Sequence, residues 1–413
     1  MTEPTVFLDR DGVLNQVIVR DGKPYPPGSL DDLVILPEAA AALGRLARAG
    51  YPLVVVTNQP DVAAGHHRRE TVEAINAALA SALPIAEIRV CYHDDRDGCT
   101  CRKPQPGLLL QPPLADVGRS VIIGDRWRDI EAGRRAGLGA TIWIDRGYDE
   151  PLPAEPTARV TSLTEAVDWI LMHHLRVKIF ADGAAVDDMK AWARHPAIRG
   201  FTTNPTLMRK AGVVEYRQFA REVLAAIPDK PISFEVFSDD FSGMDAQARE
   251  IASWAPNVYV KIPITNTVGH TSIPLIHRLS HSGVHVNVTA VLTLAQVEAA
   301  VEALAGGASS MISIFAGRIA DTGRDPVPIV AEAVALARRA PLVELIWASP
   351  REVLNVYQAN AVGCHIITAT TDVLNRLPLA GKDLGEFSLE TVRMFRDDAV
   401  KAGFTLKGHA QPA

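Results

Sequence analysis

The chain is 413 residues long, with 47% hydrophobic and 22% charged residues and a formal net charge of −6. That length favours two domains, each able to bury a core, and the interspersed charge excludes an electrostatic footprint for nucleic acid or an anionic membrane. No apolar stretch is long enough to span a bilayer, and the start Met1-Thr-Glu-Pro-Thr5 lacks the basic and apolar regions of a signal peptide, so a cytoplasmic protein is expected.

Thr5-Val-Phe-Leu8 reads as a short buried strand, followed at once by Asp9-Arg-Asp-Gly-Val-Leu-Asn15. Two carboxylates two residues apart at a strand's end stand where open α/β sheets keep their chemistry. Pro37 to Gly50 reads as a helix, with Pro near its start, Ala/Leu periodicity and Gly at its stop. Tyr51 to Val56 is an apolar strand ending in Thr57-Asn-Gln59, and Thr71 to Leu83 is a second amphipathic helix. Ser120-Val-Ile-Ile-Gly124 is a further strand, ending in Asp125 with Asp129 one helical turn beyond. Strands alternating with helices, each strand ending in a polar residue, predict a parallel sheet.

These positions resemble the four motifs of the haloacid-dehalogenase-like (HAD) phosphatases, in order: Asp9-x-Asp11-Gly, Thr57, Lys103, and Gly124-Asp125 with Asp129. The resemblance implies that Asp9 attacks phosphorus and that Asp11 protonates the leaving alkoxide, then activates water. Thr57 and Lys103 would neutralise the phosphoryl oxygens. Asp9, the Asp11 backbone carbonyl and Asp125 would hold Mg²⁺, a hard ion that prefers oxygen. Cys91-Tyr-His93 and Cys99-Thr-Cys101 supply three thiols and an imidazole, a full tetrahedral set for structural zinc. Three of the four cysteines lie in this one stretch, which favours metal over a disulfide framework. Cys101-Arg-Lys-Pro104, with Thr57-Asn-Gln59, is similar to the heptose-bisphosphate phosphatase and histidinol-phosphatase branch, and Arg102 and Asn58 would then touch substrate. The interval between motifs one and two leaves no room for a large cap.

The proline-containing stretch Gly147–Arg159 reads as an exposed crossing, followed by a last strand at Arg159–Thr161 and a last helix from Leu163 to His174. The first domain is therefore expected at residues 1–174, Rossmann-like and capless, and the second at residues 175–413 with a C-terminal helix. In the second half eight short strands recur: Lys178–Asp182, Gly200–Asn204, Ile232–Phe237, Val258–Ile262, His285–Thr289, Ser310–Phe315, Val343–Ala348 and Cys364–Thr368. The intervals hold helices such as Glu215–Ala226 and Val327–Arg339. Eight strand–helix units predict a (β/α)₈ barrel with its site at the C-terminal strand ends. The polar residues there are Asp182, Asn204, Glu235, Lys261, Asn287, Thr289, Ser313 and Ser349. Lys261 lies inside the apolar run Val258-Tyr-Val-Lys-Ile-Pro-Ile-Thr265, where a lysine must be paired or made a nucleophile by desolvation.

This ring resembles the transaldolase family, through Phe201-Thr-Thr-Asn-Pro-Thr206, Val260-Lys-Ile-Pro263, Asn287-Val-Thr289, Ser313-Ile-Phe-Ala-Gly-Arg318 and Ala348-Ser-Pro-Arg351. The resemblance implies that Lys261 forms a Schiff base with a ketose carbonyl. Asp182 and Glu235, with a water near Thr289, would move protons. Asn204, Asn287 and Ser313 would hold substrate hydroxyls, and Ser349, Arg318 and Arg351 the sugar phosphate. Departures are Ile314, where Pro is expected in the fuller transaldolases, and Pro350, where Phe is common. Glu235 and Phe315 stand where the aldolase branch has Gln and Tyr, which favours transfer over release of free dihydroxyacetone. The expectation is a bifunctional sugar-phosphate enzyme with Mg²⁺, structural Zn²⁺ and no organic cofactor. It would take seven- or eight-carbon sugar phosphates and bind neither nucleic acid nor membrane, as a homo-oligomer through the barrel domain. The alternatives are a fructose-6-phosphate-type aldolase fused to a histidinol-phosphate-like or other small-molecule phosphatase, and a first domain that serves only as a scaffold.

Overall fold

The structure is a computed structural model that describes residues 4–404, apart from 113–115, 152–153, 174 and 196. Two compact units divide it, residues 1–174 with 379–413 and residues 175–378. The strands of the first unit are β1 (Val6–Leu8), β2 (Ile18–Arg20), β3 (Lys23–Tyr25), β4 (Leu53–Asn58), β5 (Glu87–Cys91), β6 (Val121–Gly124), β7 (Ala140–Ile144) and β8 (Ala158–Val160). Six of them form one parallel sheet in the order β5-β4-β1-β6-β7-β8. Alternation decides which face each residue takes. Val6, Leu8, Leu53, Val55, Val121 and Ile123 pack on one side with the Ala39–Arg48 and Leu163–His173 helices. Phe7, Val54, Val56 and Ile122 pack on the other, with Ala132 of the Trp127–Ala136 helix. Burial on both faces is what makes these strands read as unbroken apolar runs.

The sequence reading passed over β5 and β7, and it missed the hairpin β2–β3. His174, its expected boundary, lies outside the described residues. The described part of the C-terminal stretch, residues 379–404, clusters with the first unit, whereas the sequence reading places it with the barrel. Arg45 Nε donates to the Ala380 carbonyl at 2.8 Å, Arg48 donates to the Gly381 carbonyl, and Arg48 pairs with Asp383 at 3.7 Å. The helix that follows, Leu384–Lys401, keeps Phe387, Val392 and Phe395 exposed.

The second unit is a closed barrel of eight parallel strands: β9 (Lys178–Asp182), β10 (Ile198–Thr202), β11 (Ile232–Glu235), β12 (Val258–Pro263), β13 (Val286–Val291), β14 (Ser310–Ile314), β15 (Val343–Trp347) and β16 (Ile366–Thr370). β16 closes on β9 through Ile366↔Lys178 to Thr370↔Asp182. Phe180, Met311, Ile346 and Ile366 form a buried cluster contributed by four of these strands. All eight strands are where the sequence places them, within two residues at each end. Among the described residues, no helix is long and apolar enough to cross a membrane.

Candidate active sites

In the first unit β1 delivers Asp9 to the mouth of the sheet. Its Oδ1 accepts from the Lys103 ammonium and from the Arg10 backbone N–H, each at 2.8 Å. Lys103 is almost fully buried and also donates to the Val56 carbonyl at 2.7 Å and to Asp129 Oδ1 at 2.5 Å. Asn58 grips the Lys103 backbone twice, donating to its carbonyl at 2.9 Å and accepting from its N–H at 3.0 Å. Asp9, Asp125 and Asp129 bring carboxylate oxygens within 4.8 Å of one another. Burial, then the Asp129 carboxylate, pushes Asp9 up to about 6 against the pull of Lys103, and burial pushes Asp125 up as well. Neither Asp125 oxygen makes a well-formed hydrogen bond, although the Tyr148 hydroxyl lies beside it. Buried like charges with spare lone pairs fit a hard cation. Gly12 is essential to this arrangement: its φ is +82°, and a Cβ there would stand 1.8 Å from Asp125 Oδ2.

Asp11 is held away from that cluster. Its carboxylate accepts from Arg10 Nε and Nη2, Asn15 Nδ2 at 3.0 Å and Gln59 Nε2 at 2.8 Å, and Gln59 Nε2 also reaches Thr57 Oγ1 at 2.8 Å. A pocket of about 270 Å³ opens over Asp9 and Asp11, walled by Asn58, Arg102 and the Lys23-Pro-Tyr25 strand of the hairpin. At the pocket, Arg102 Nε (2.7 Å) and Arg128 Nη1 (3.2 Å) share one oxygen of Asp95. Those hydrogen bonds, Arg102's first, hold Asp95 down to about 2.

Behind Arg102 the loop from β5 gathers Cys91, His93, Cys99 and Cys101, which could hold a metal ion. Cys101 Sγ lies 3.3 Å from both Cys91 Sγ and His93 Nδ1 and 3.5 Å from Cys99 Sγ, while Cys91 stands 3.6 Å from His93 and 3.8 Å from Cys99. Four ligands about 2.0–2.3 Å from a shared zinc would be spaced roughly this way. All three cysteines are free. The Arg102 N–H lies 3.4 Å from Cys99 Sγ, so the same loop fixes the arginine.

In the barrel, Lys261 is 6% exposed and donates to Glu235 Oε1 at 3.1 Å and to the Thr203 carbonyl at 2.6 Å. Among the described residues, Glu235 Oε2 and the Thr289 hydroxyl are buried without a hydrogen-bond partner. Asp182 accepts from Thr202 Oγ1 at 2.8 Å and from Asn204 Nδ2 at 3.3 Å, and Asn204 Oδ1 caps the Pro205–Lys210 helix through the Leu207 N–H. Burial pushes the Asp182 and Glu235 carboxyls up, and the Lys261 ammonium opposes this in both. Asn287 bridges Ser233 and Ser313 at 3.0 and 2.8 Å. Phe315 packs at the edge of the buried Phe180–Ile366 cluster with Arg318 over its ring, 5.7 Å from the centroid. Ser349 has φ +59°, and its carbonyl sits so close to Gly317 that a Cβ there would be 1.7 Å away. That contact ties Ser349 to the turn bearing Arg318. Arg351 and Arg318 are exposed, and Arg351 pairs with Asp321.

The barrel sequence matches the family described as transaldolase/fructose-6-phosphate aldolase over residues 179–406, more than half of the chain. The chain belongs to the transaldolase/fructose-6-phosphate aldolase family. Probable transaldolases of Dehalococcoides mccartyi and a Thermoanaerobacter species are each 34% identical to it, over 51% and 56% of this chain and 96% and 100% of their own. A second family, HAD-hydrolase-like, matches residues 100–166, the stretch carrying Lys103, Asp125 and Asp129. Among solved structures, the chain is similar to a D,D-heptose 1,7-bisphosphate phosphatase from B. bronchiseptica complexed with magnesium and phosphate. The identity is 29%, over 41% of this chain and 99% of that one, with a TM-score of 0.35. The protein thus joins a HAD-like hydrolase region to a transaldolase-type domain, and it is an enzyme.

Within this transaldolase-family barrel, Asp182 and Glu235 end their strands, Ser313 lies one residue before the end of β14, Asn204 follows β10, and Lys261, Asn287 and Thr289 lie inside β12 and β13. Sequence reasoning missed Asp129 as a member of the carboxylate cluster, the Lys23–Tyr25 wall and the Arg128 contact. The wall had a signal. Asp21-Gly22 between short apolar-containing runs is a hairpin cue, and both residues have positive φ, at 49° and 71°.

Proposed function

We propose that the chain is bifunctional: a Mg²⁺-dependent phosphatase for seven- or eight-carbon sugar (bis)phosphates, and a Schiff-base transaldolase that carries a dihydroxyacetone unit between sugar phosphates. The observation that carries the second half is the buried Lys261 ammonium paired with the Glu235 carboxylate inside the barrel. In this reading the Lys261 amine adds to the ketose C2 carbonyl and the carbinolamine loses water to leave an imine. A base, Asp182 or Glu235 through a water at Thr289, takes the C4 hydroxyl proton. The C3–C4 bond then breaks, the aldose phosphate leaves, and the retained three-carbon carbanion adds to an acceptor aldehyde. Asn204, Asn287 and Ser313 would exchange their present partners for substrate hydroxyls, and Ser349, Arg318 and Arg351 would take the phosphate. Phe315 offers no hydroxyl to protonate the carbanion, which supports transfer over release.

For the phosphatase, Asp9 attacks phosphorus and forms an aspartyl-phosphate while Asp11 gives a proton to the leaving alkoxide. Asp11 then takes a proton from the water that hydrolyses the intermediate. Thr57 and Lys103 hold the phosphoryl oxygens. Asp9, Asp125 and the Asp11 carbonyl, with Asp129 beside them, would hold Mg²⁺, which supplies charge neutralisation at the phosphoryl group. Cys91, His93, Cys99 and Cys101 would hold zinc, which fixes the loop. Two guanidiniums meeting on the exposed carboxylate of Asp95 support a substrate with a second anionic group, which Arg102 would contact. Self-association through the barrel domain is part of the same reading.

An assay with fructose 6-phosphate as donor, with and without erythrose 4-phosphate or ribose 5-phosphate, tests the transferase half. It should give a longer ketose phosphate and little free dihydroxyacetone. Dihydroxyacetone as the main product whatever the acceptor would make the barrel an aldolase.

A further inference from the structure

Glu235 ends a strand that has lost its neighbour on one side. Pairing of β10 with β11 stops at Thr202↔Ser233, and the last ladder contact is the Thr203 N–H to the Ser233 carbonyl at 3.2 Å. The chain then turns away, because Asn204 caps the helix that starts at Pro205. On the other side β11 runs with β12 as far as Glu235↔Lys261, and the Val236 N–H reaches the Lys261 carbonyl at 3.3 Å. Strand alternation therefore turns the N–H and C=O of Glu235 toward the gap left by β10. Buried backbone groups there need partners.

One side chain supplies both. Tyr216, the first residue of the Tyr216–Ala226 helix, accepts from the Glu235 N–H at 2.8 Å and donates to the Glu235 carbonyl at 3.1 Å. Its ring is fixed edge-on by Phe234, Phe237 and Trp254, with centroids 6.2, 4.8 and 5.6 Å away. The phenol thus stands where a strand would be, on the residue whose carboxylate meets the Lys261 ammonium.

We infer that Tyr216 is a positioning residue for the barrel's chemistry, its hydroxyl replacing the missing strand and holding Glu235 in register with Lys261. The inference rests on the reading of Lys261 as imine former and Glu235 as proton carrier. Loss of the hydroxyl leaves every ring contact intact but frees the peptide that aims the carboxylate, and small misplacements of a catalytic group cost rate rather than affinity.

The test is Tyr216→Phe, assayed for transfer in otherwise wild-type enzyme and in Glu235→Gln enzyme. In the first, kcat should fall about tenfold with KM for the donor changed by less than about twofold. In the second, the same substitution should change kcat by less than about twofold, because the group it positions is already gone. 4-Aminophenylalanine at position 216, which restores a polar hydrogen at the same place, should recover most of kcat, and it tests the inference even if Tyr216→Phe does not fold. Wild-type kcat in Tyr216→Phe, an equal loss in both backgrounds, or no recovery with the amino analogue would overturn the inference. If borohydride trapping finds the imine away from Lys261, the underlying reading fails instead. If the imine is at Lys261 and Glu235→Gln slows transfer while Tyr216→Phe does not, only the role of Tyr216 falls.

Discussion

At Lys261 an apolar strand and a charged group conflict, and the conflict was visible before any coordinates. Six of its seven companions from Val258 to Thr265 are aliphatic, aromatic or imino, and among the described residues the ammonium meets the Glu235 carboxylate and the Thr203 carbonyl. An ammonium this buried costs stability unless paired, and Glu235 supplies the pair. Borohydride added with fructose 6-phosphate should fix a three-carbon adduct on Lys261, read by peptide mass spectrometry. A labelled peptide elsewhere, with enzyme that still turns over, would contradict the assignment. The carboxylates around Asp9 carry the opposite imbalance. Asp9 is raised from its ordinary 3.8 to about 6, so in metal-free protein this group disfavours folding increasingly as pH rises through that interval. Mg²⁺ needs the deprotonated form. It should therefore raise the melting temperature of wild-type protein by several degrees at pH 7.5 and by little at pH 5, and Asp125→Asn should lose most of that shift. Equal stabilisation at both pH values would argue against a carboxylate site.

Among elements, the loop between β5 and β6 is where the proposed zinc site and the proposed phosphate site come nearest in sequence. Cys99 contacts the Arg102 N–H, and Arg102 precedes Lys103, so Cys91, His93, Cys99, Cys101 and Lys103 fall within thirteen consecutive residues. Protein purified without chelator should carry one equivalent of zinc per chain. Cys99→Ser should lose it and depress phosphatase activity at least tenfold more than transfer. Metal analysis that finds no zinc in the native protein would count against the loop's reading. The elements also show where sequence reasoning stops. Strands β4, β6 and β12 declare themselves because both faces are buried. The hairpin β2–β3 is exposed and held by its Asp21-Gly22 turn, so no hydrophobic pattern announces it. Tyr216 is less legible still, since its partners are backbone atoms 19 residues away, and a backbone partner leaves no trace in residue type.

For the whole molecule, both architectures were legible, the barrel from eight short, mostly apolar strands with room for helices between them and the sheet from strands ending in Asp9, Thr57 and Asp125. The place of residues 379–404 was not. Their attachment runs through the Ala380 and Gly381 carbonyls and the Asp383 side chain onto Arg45 and Arg48, contacts that periodicity does not encode. In the proposed reading the two chemistries draw on separate residue sets, one in each unit. Asp9→Asn keeps the side chain's shape and removes the nucleophile, while Lys261→Ala removes the amine. Both activities measured on both variants test the bifunctional account most directly. Asp9→Asn should lower phosphate release from a heptose bisphosphate by at least about a thousandfold while aldol transfer stays within about twofold of wild type, and Lys261→Ala should do the reverse. If either substitution silences both activities in protein that is still folded, the two-site account is wrong.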